Sequence, residues 1–247
     1  MPKSDYVVSD THLGAVPKET ERAFLQFLEH AGQNAASLLI NGDLFDFWFE
    51  WGPVIPAQHF RVLAAIARIV EAGIPVTMIG GNHDAWGGRF LSEDVGMRVF
   101  NGVLRTKLGG RTALIAHGDG LGKGDIKYRV LKSVLRSRAA VWGFRALHPE
   151  LGLRIADRVS STPAKALDDK GSKNRAAFLQ NWAKDQFAAD AEVELIMCGH
   201  AHVPSIIEMG PEKYYVNSGD WVRNRTYVTV LNGAPPQLLT WRNPSSL

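Results

Sequence analysis

The 247-residue sequence holds a single cysteine, Cys198. No internal disulfide can form, which fits a reducing compartment such as the cytoplasm. No apolar run approaches the roughly 18 residues that span a bilayer, so a transmembrane helix is not expected. Met1-Pro2-Lys3-Ser4 is too short for a signal peptide, because a strand-like stretch begins almost at once. The chain also lacks internal repeats and low-complexity segments. Hydrophobic residues make up 45% of it, enough for a sizeable core. The length suits one domain, or one domain with an insertion.

What is present is a set of short apolar runs, each followed within a few residues by oxygen or imidazole donors. Tyr6-Val7-Val8 leads into Ser9-Asp10-Thr11-His12. Leu38-Leu39-Ile40 leads into Gly42-Asp43-Leu44-Phe45-Asp46. Val76-Thr77-Met78-Ile79 leads into Gly80-Gly81-Asn82-His83-Asp84. Ala113-Leu114-Ile115-Ala116 leads into His117-Gly118-Asp119, and Leu195-Ile196-Met197-Cys198 leads into Gly199-His200-Ala201-His202. Parallel sheets carry function at the carboxyl ends of their strands, so five such ends can meet at one point. Any single Asp or His here could be an ordinary turn residue; five clusters of the same form argue for a shared site.

Ligand type says what that site would bind. Asp, His and Asn suit manganese, iron or zinc, and no thiolate is among them. Seven donors exceed the needs of one ion. A pair of ions about 3.5–4 Å apart, bridged by one carboxylate, would use them.

The five clusters resemble the metallophosphoesterase (calcineurin-like) superfamily, whose blocks read D-x-H, G-D, G-N-H-D, G-H and G-H-x-H. All five occur in order between residues 10 and 202. The resemblance implies a four-layer α-β-β-α sandwich and two divalent cations. It implies Asp10, His12 and His202 on the first metal, and Asn82, His117 and His200 on the second, with Asp43 bridging. His83, oriented by Asp84, would donate a proton to the leaving oxygen or stabilise the charge developing there, and Asn82 would also reach a phosphate oxygen. Asp46 and Asp119 would orient metal-bound histidines; the alternative is that they are caps.

The rest of the chain reads as α/β. Residues 17–31 carry Ala23, Phe24, Phe27, Leu28 and Ala31 at helical spacing, with Gly32 as a stop. Residues 57–72 carry a second stripe, Phe60, Leu63, Ala64, Ala67 and Val70, stopped by Gly73 and Pro75. Residues 5–80 thus read as a parallel strand-helix-strand-helix-strand unit. Two strands are expected around Gly109-Gly110, a helix near 175–189, and five strands near 194–198, 205–209, 214–217, 226–231 and 238–241. Trp48, Phe49 and Trp51 could serve an interface, a cap or the core.

Residues 121–175 differ. Thirteen Lys or Arg stand against five acids, a local excess of eight in a chain whose net charge is +3. Aliphatic residues lie between them. The segment is expected to be a basic helical cap (121–175) inserted into a core formed by 1–120 and 176–247. An amphipathic hairpin with solvated charges is one explanation. Nucleic acid is another, but the apolar residues are not the aromatic platform that stacks bases. An amphiphilic anionic substrate or an anionic membrane surface suits both features.

Gly42-Asp43-Leu44-Phe45-Asp46-Phe47-Trp48 and His117-Gly118-Asp119-Gly120-Leu121, with Asp125, Tyr128 and the basic insertion, resemble the UDP-2,3-diacylglucosamine pyrophosphatases of lipid A synthesis. That resemblance implies cleavage of a UDP-linked, acylated glucosamine to the lipid 1-phosphate and UMP. It implies manganese, with iron and zinc also compatible, and a place at the cytoplasmic face of the inner membrane. Asp125, Tyr128, Arg158, Lys165, Lys173 and Asn174 are the expected head-group contacts. Many members carry Arg after the metal-binding Asn; His83 stands there in this chain. The alternative substrate is a soluble nucleotide or other phosphoester.

Overall fold

The computed structural model describes residues 2–121, 126–160 and 169–242. Two sheets stack face to face. The first runs in the order β11 (Gln237–Thr240), β10 (Thr226–Val230), β1 (Ser4–Val8), β2 (Ala35–Asn41), β3 (Val76–Gly80) and β4 (Arg98–Asn101). The second runs β5 (Leu104–Leu108), β6 (Arg111–Ile115), β7 (Leu195–Cys198), β9 (Lys213–Asn217) and β8 (Ser205–Gly210). Strands β1 to β4 pair in parallel, as do β6, β7 and β9.

Alternation along the strands builds the layers. Tyr6 and Val8, Leu38 and Ile40, and Val76 and Met78 face α1 (Lys18–Asn34) and α2 (Phe60–Glu71). Val7, Leu39 and Ile79 face the second sheet, where they meet Ala113, Ile115, Leu195, Met197 and Val216. Leu114, Ile196, Cys198 and Tyr215 point the other way, onto Ala176, Leu179 and Ala183 of α6 (Asp169–Ala189). The expected four-layer α-β-β-α sandwich is the observed one.

Two helix readings need correction. On α2 the buried residues are Val62, Leu63, Ile66 and Ile69, while Phe60 is 70% exposed. Both stripes have helical spacing. The one richer in Val and Ile removes more apolar surface from water than the one richer in Ala, and it wins. Gly32 does not stop α1, which continues to Asn34. A Cβ on Gly32 would lie 3.3 Å from Ile69 Cγ1, so the glycine lets α1 and α2 approach closely. The edge strand β4 was not anticipated, and α6 begins at Asp169 rather than near 175.

Between β6 and α6 lie α3 (Ile126–Leu135), α4 (Arg138–Arg145) and α5 (Pro149–Val159). Ser137 caps α4, its hydroxyl accepting from the Ala140 N–H, and Pro149 opens α5 where no amide donor is needed. Trp48, Phe49 and Trp51 are all buried. Trp48 joins the core under α2. Phe49 and Trp51 receive Phe144 of α4, with ring centroids 4.9 and 5.7 Å away. These aromatics join α4 to the loop after β2.

Phe27 lies within a ring cluster of Tyr6, Phe24, Trp221, Tyr227 and Trp241. Phe27→Ala is expected to cost about 3–5 kcal/mol of stability, read as a lowered urea midpoint with an unchanged slope.

Candidate metal centre

The five donor loops leave the carboxyl ends of β1, β2, β3, β6 and β7 and converge where the two sheets meet. Asp10, His12 and His202 each offer a donor atom, and these lie within 4.8 Å of one another. So do donor atoms of Asp43, His117 and His200, and of His12, Asp43 and His83. Asp43 therefore sits between the two halves, 3.1 Å from His117 Nε2 and 3.8 Å from His12 Nε2 through the same Oδ2. His202 Nε2 is 3.2 Å from Asp10 Oδ1 and 3.4 Å from His12 Nε2.

This convergence needs unusual backbone. Asp10, His12, Asp43, His200 and His202 all have φ between 45° and 62°. Non-glycine residues in this left-handed region cost free energy and persist only where the surroundings hold them. The surroundings here are hydrogen bonds between loops. Asp10 N–H donates to the Gly42 carbonyl and His12 N–H to the Asp43 carbonyl. His200 N–H donates to the Asp10 carboxylate at 3.0 Å, and Asn217 Nδ2 donates to the Gly199 carbonyl at 2.8 Å. Gly81 has no room for a side chain, since a Cβ would lie 2.6 Å from the Asp43 backbone nitrogen.

Asp84 works differently from the sequence reading. It does not orient His83. Its carboxylate accepts N–H groups from Gly81 (2.8 Å), Leu44 (2.7 Å) and, more loosely, Asp43 and Phe45. It thereby clasps the loop after β2 to the loop after β3. Burial and the neighbouring Asp43 charge push its carboxyl up to about 6. His83 is held instead by Asp46, whose carbonyl accepts from His83 Nδ1 at 2.7 Å. Asp46 Oδ1 also lies 3.3 Å from His12 Nδ1, which agrees with an orienting role.

Several supports were not read from the sequence. The Asn41 carbonyl accepts from His117 Nδ1 at 2.8 Å, setting the tautomer that leaves Nε2 facing Asp43. Asn41 Nδ2 in turn donates to the Ala116 carbonyl. Ser9 and Ser218 hydroxyls pair at 2.7 Å beneath the first loop. The Asn-Gly step directly before Asp43 was the available signal. Of the expected head-group contacts, Arg158, Lys173 and Asn174 are exposed on α5 and α6. Asp125 and Lys165 lie outside the described residues, as does the Tyr128 side chain.

The donors fit divalent cations. Asn82 Oδ1 is buried with no hydrogen-bond partner among the described residues. With Nδ1 committed to Asn41, the His117 Nε2 lone pair points at a carboxylate oxygen 3.1 Å away. Two lone pairs so close need a proton or a cation between them. The titration pattern says the same. Burial alone would raise the Asp10 carboxyl, but His202 and His117 hold it at about 2. Asp43 is likewise held well below the usual carboxylate range by His117, against burial. Burial alone would lower the His117 imidazolium, but Asp43 and Asp10 raise it well above the usual value. His200, buried beside His117, is pushed down to about 3.

The calcineurin-like phosphoesterase family model matches residues 6–204. The chain belongs to this family. It is a metal-dependent hydrolase, and the family fold implies a dinuclear divalent site for which these residues are the candidate ligands. A protein of Porphyromonas gingivalis named UDP-2,3-diacylglucosamine hydrolase is 28% identical over 244 residues, covering 90% of this chain and 92% of that one. One of the same name from Actinobacillus succinogenes is 29% identical over 220 residues, covering 87% and 91%. A solved dimetal phosphatase from Danio rerio aligns with a TM-score of 0.46 at 9% identity, covering 98% of this chain and all of that one. Among the described residues no helix is long and apolar enough to cross a membrane.

Metal uptake must displace the proton that Asp43 and Asp10 retain on His117. At pH 7 metal binding is expected to release protons, and affinity should rise with pH until metal-free His117 loses its proton unaided. Titration calorimetry with manganese in two buffers of different ionisation heat measures this. Identical heats in both would contradict it.

Proposed function

We propose that the protein cleaves the diphosphate of UDP-2,3-diacylglucosamine, giving 2,3-diacylglucosamine 1-phosphate and UMP in lipid A biosynthesis. The observation that supports the reading is the convergence of Asp10, His12, Asp43, His117, His200 and His202 beside a segment that is both basic and outwardly apolar. The relatives' names support it, because the similarity spans most of both chains. The division into a core, 1–120 and 176–247, and a cap, 121–175, is part of the same reading.

In this reading Asp10, His12 and His202 hold one cation, Asn82, His117 and His200 hold the other, and Asp43 bridges. Manganese is the proposed metal. Bound there, two divalent cations supply an activated water and neutralise phosphoryl charge. The remaining work falls to the chain. Asn82 offers its amide N–H to a phosphoryl oxygen. His83, with Nδ1 held on the Asp46 carbonyl, has Nε2 left to pass a proton to the departing oxygen. Arg158, Lys173 and Asn174, with Asp125, Tyr128 and Lys165, are proposed to meet the head group.

The cap also suits an anionic membrane surface. Trp142 is 76% exposed, and Val130, Val134, Leu151 and Ile155 are exposed on neighbouring helices. Arg138, Arg145 and Arg154 belong to the same helices. Apolar insertion beside basic residues is how peripheral proteins hold anionic bilayers. The proposed location is the cytoplasmic face of the inner membrane.

One feature favours another substrate. His83 stands where many UDP-diacylglucosamine pyrophosphatases carry Arg, which suits a soluble nucleotide or other phosphoester. A manganese-supplemented assay of UDP-diacylglucosamine beside UDP-N-acetylglucosamine separates the two. Cleavage of the acylated compound alone is expected; equal turnover of both would overturn the lipid reading. His83→Ala is expected to lower kcat by about 10²–10⁴. Vesicles containing phosphatidylglycerol are expected to sediment the protein, and Trp142→Ala should weaken this; no sedimentation at low salt would remove the membrane from the account.

A further inference from the structure

Helix α3 touches the metal centre from the cap side. Lys132 Nζ lies 2.5 Å from Asp119 Oδ2 and donates to the Asp119 carbonyl at 3.1 Å. One turn later, Arg136 Nη2 donates to the Gly81 carbonyl at 3.0 Å and lies 3.6 Å from Asp119 Oδ2. Residues four apart share one helix face. Trp86 Nε1 adds a third tie, donating to the Leu135 carbonyl.

These ties fall on two particular loops. Asp119 is buried two residues after His117. Gly81 directly precedes Asn82, and its N–H is committed to Asp84. One loop leaves β6 of the second sheet and the other leaves β3 of the first, so α3 staples the sheets together at their mouth. Both loops carry donors of the same half, the one assigned to Asn82, His117 and His200. The loop after β7, which carries one donor of each half, His200 and His202, is held from within the body. There, the Asp10 carboxylate accepts His200 N–H, Asn217 holds Gly199, and Ser9 pairs with Ser218.

We propose that Lys132 and Arg136 are positioning residues for that second half of the centre, so that the cap completes one metal site and not the other. The inference rests on the dinuclear reading above. An amide ligand such as Asn82 has no charge to hold a cation and depends on its loop being in place. Loss of a residue that orients ligands costs about 10–100-fold in metal affinity or activity.

The test is manganese titration of the full chain, followed by electron paramagnetic resonance of free Mn²⁺, with no substrate present. In Lys132→Met and Arg136→Met, one binding step is expected to weaken by about ten-fold or more while the other holds. Lys132→Arg and Arg136→Lys should recover most of the loss. In steady state, kcat should fall at near-constant KM. Unchanged affinities, a rise in KM alone, or equal weakening of both steps with a lowered Tm would overturn the proposal. Wild-type protein that takes up fewer than two cations sinks the dinuclear reading and this inference with it; unchanged affinities in the variants sink the inference alone.

Discussion

Burying Asp10 and Asp43 close together is the constraint that the rest of the structure answers to. Both carboxylates are shut away from water, and an uncompensated buried charge costs several kcal/mol. The chain surrounds them with imidazoles from four loops and with backbone N–H groups turned inward by left-handed residues. That arrangement is costly as a structural device. It makes sense as a receptor for positive charge, which is what a phosphoesterase of this family needs. Asp84 is a third buried carboxylate with a different solution: four backbone N–H groups converge on it. It carries no proposed metal, and it ties the loops that do.

The sandwich is the means of meeting this constraint. Parallel pairing of β1, β2 and β3 in one sheet, and of β6 and β7 in the other, brings five carboxyl ends to one edge. Because the sheets face each other through Val7, Leu39, Ile79, Ile115 and Met197, the loops of one come within reach of those of the other. The core between the sheets sets the distance between Asp43 and His117. Helices α3 and α4 pack at this edge through Phe144 on Phe49 and Trp51 and through Lys132 and Arg136 of α3. Packing and the placement of the donor loops are thus decided at the same seam.

Much of the fold was legible because alternation and helical spacing were strong where burial was strong. The strands before each donor cluster begin and end within three residues of the apolar runs that mark them. The misreadings share a cause. On α2, two stripes satisfied the same period, and only the sheet beneath could choose between them. Gly32 carried the local signature of a helix end, but a neighbouring helix had a stronger use for it. Asp84 follows His83 in sequence and so suggested a partnership with it. In three dimensions its carboxylate turns towards the backbone of Gly81 and Leu44, and Asp46, 37 residues away from His83, takes that place. Trp48, Phe49 and Trp51 could not be placed from a loop segment whose burial depends on distant elements, the core for Trp48 and α4 for the other two.

The sequence by itself supplied the candidate donors and the order of most elements, because ligand chemistry and strand patterning are local properties of residue type and spacing. It also determined that the charge of residues 121–175 differs from that of the rest. Tertiary structure alone decided which nitrogen of His117 points inward and which residue holds His83. It also decided that Lys132 and Arg136 reach the loops of β6 and β3. Those relations join residues far apart in the chain, and their distances exist only once two sheets and a cap have packed against one another.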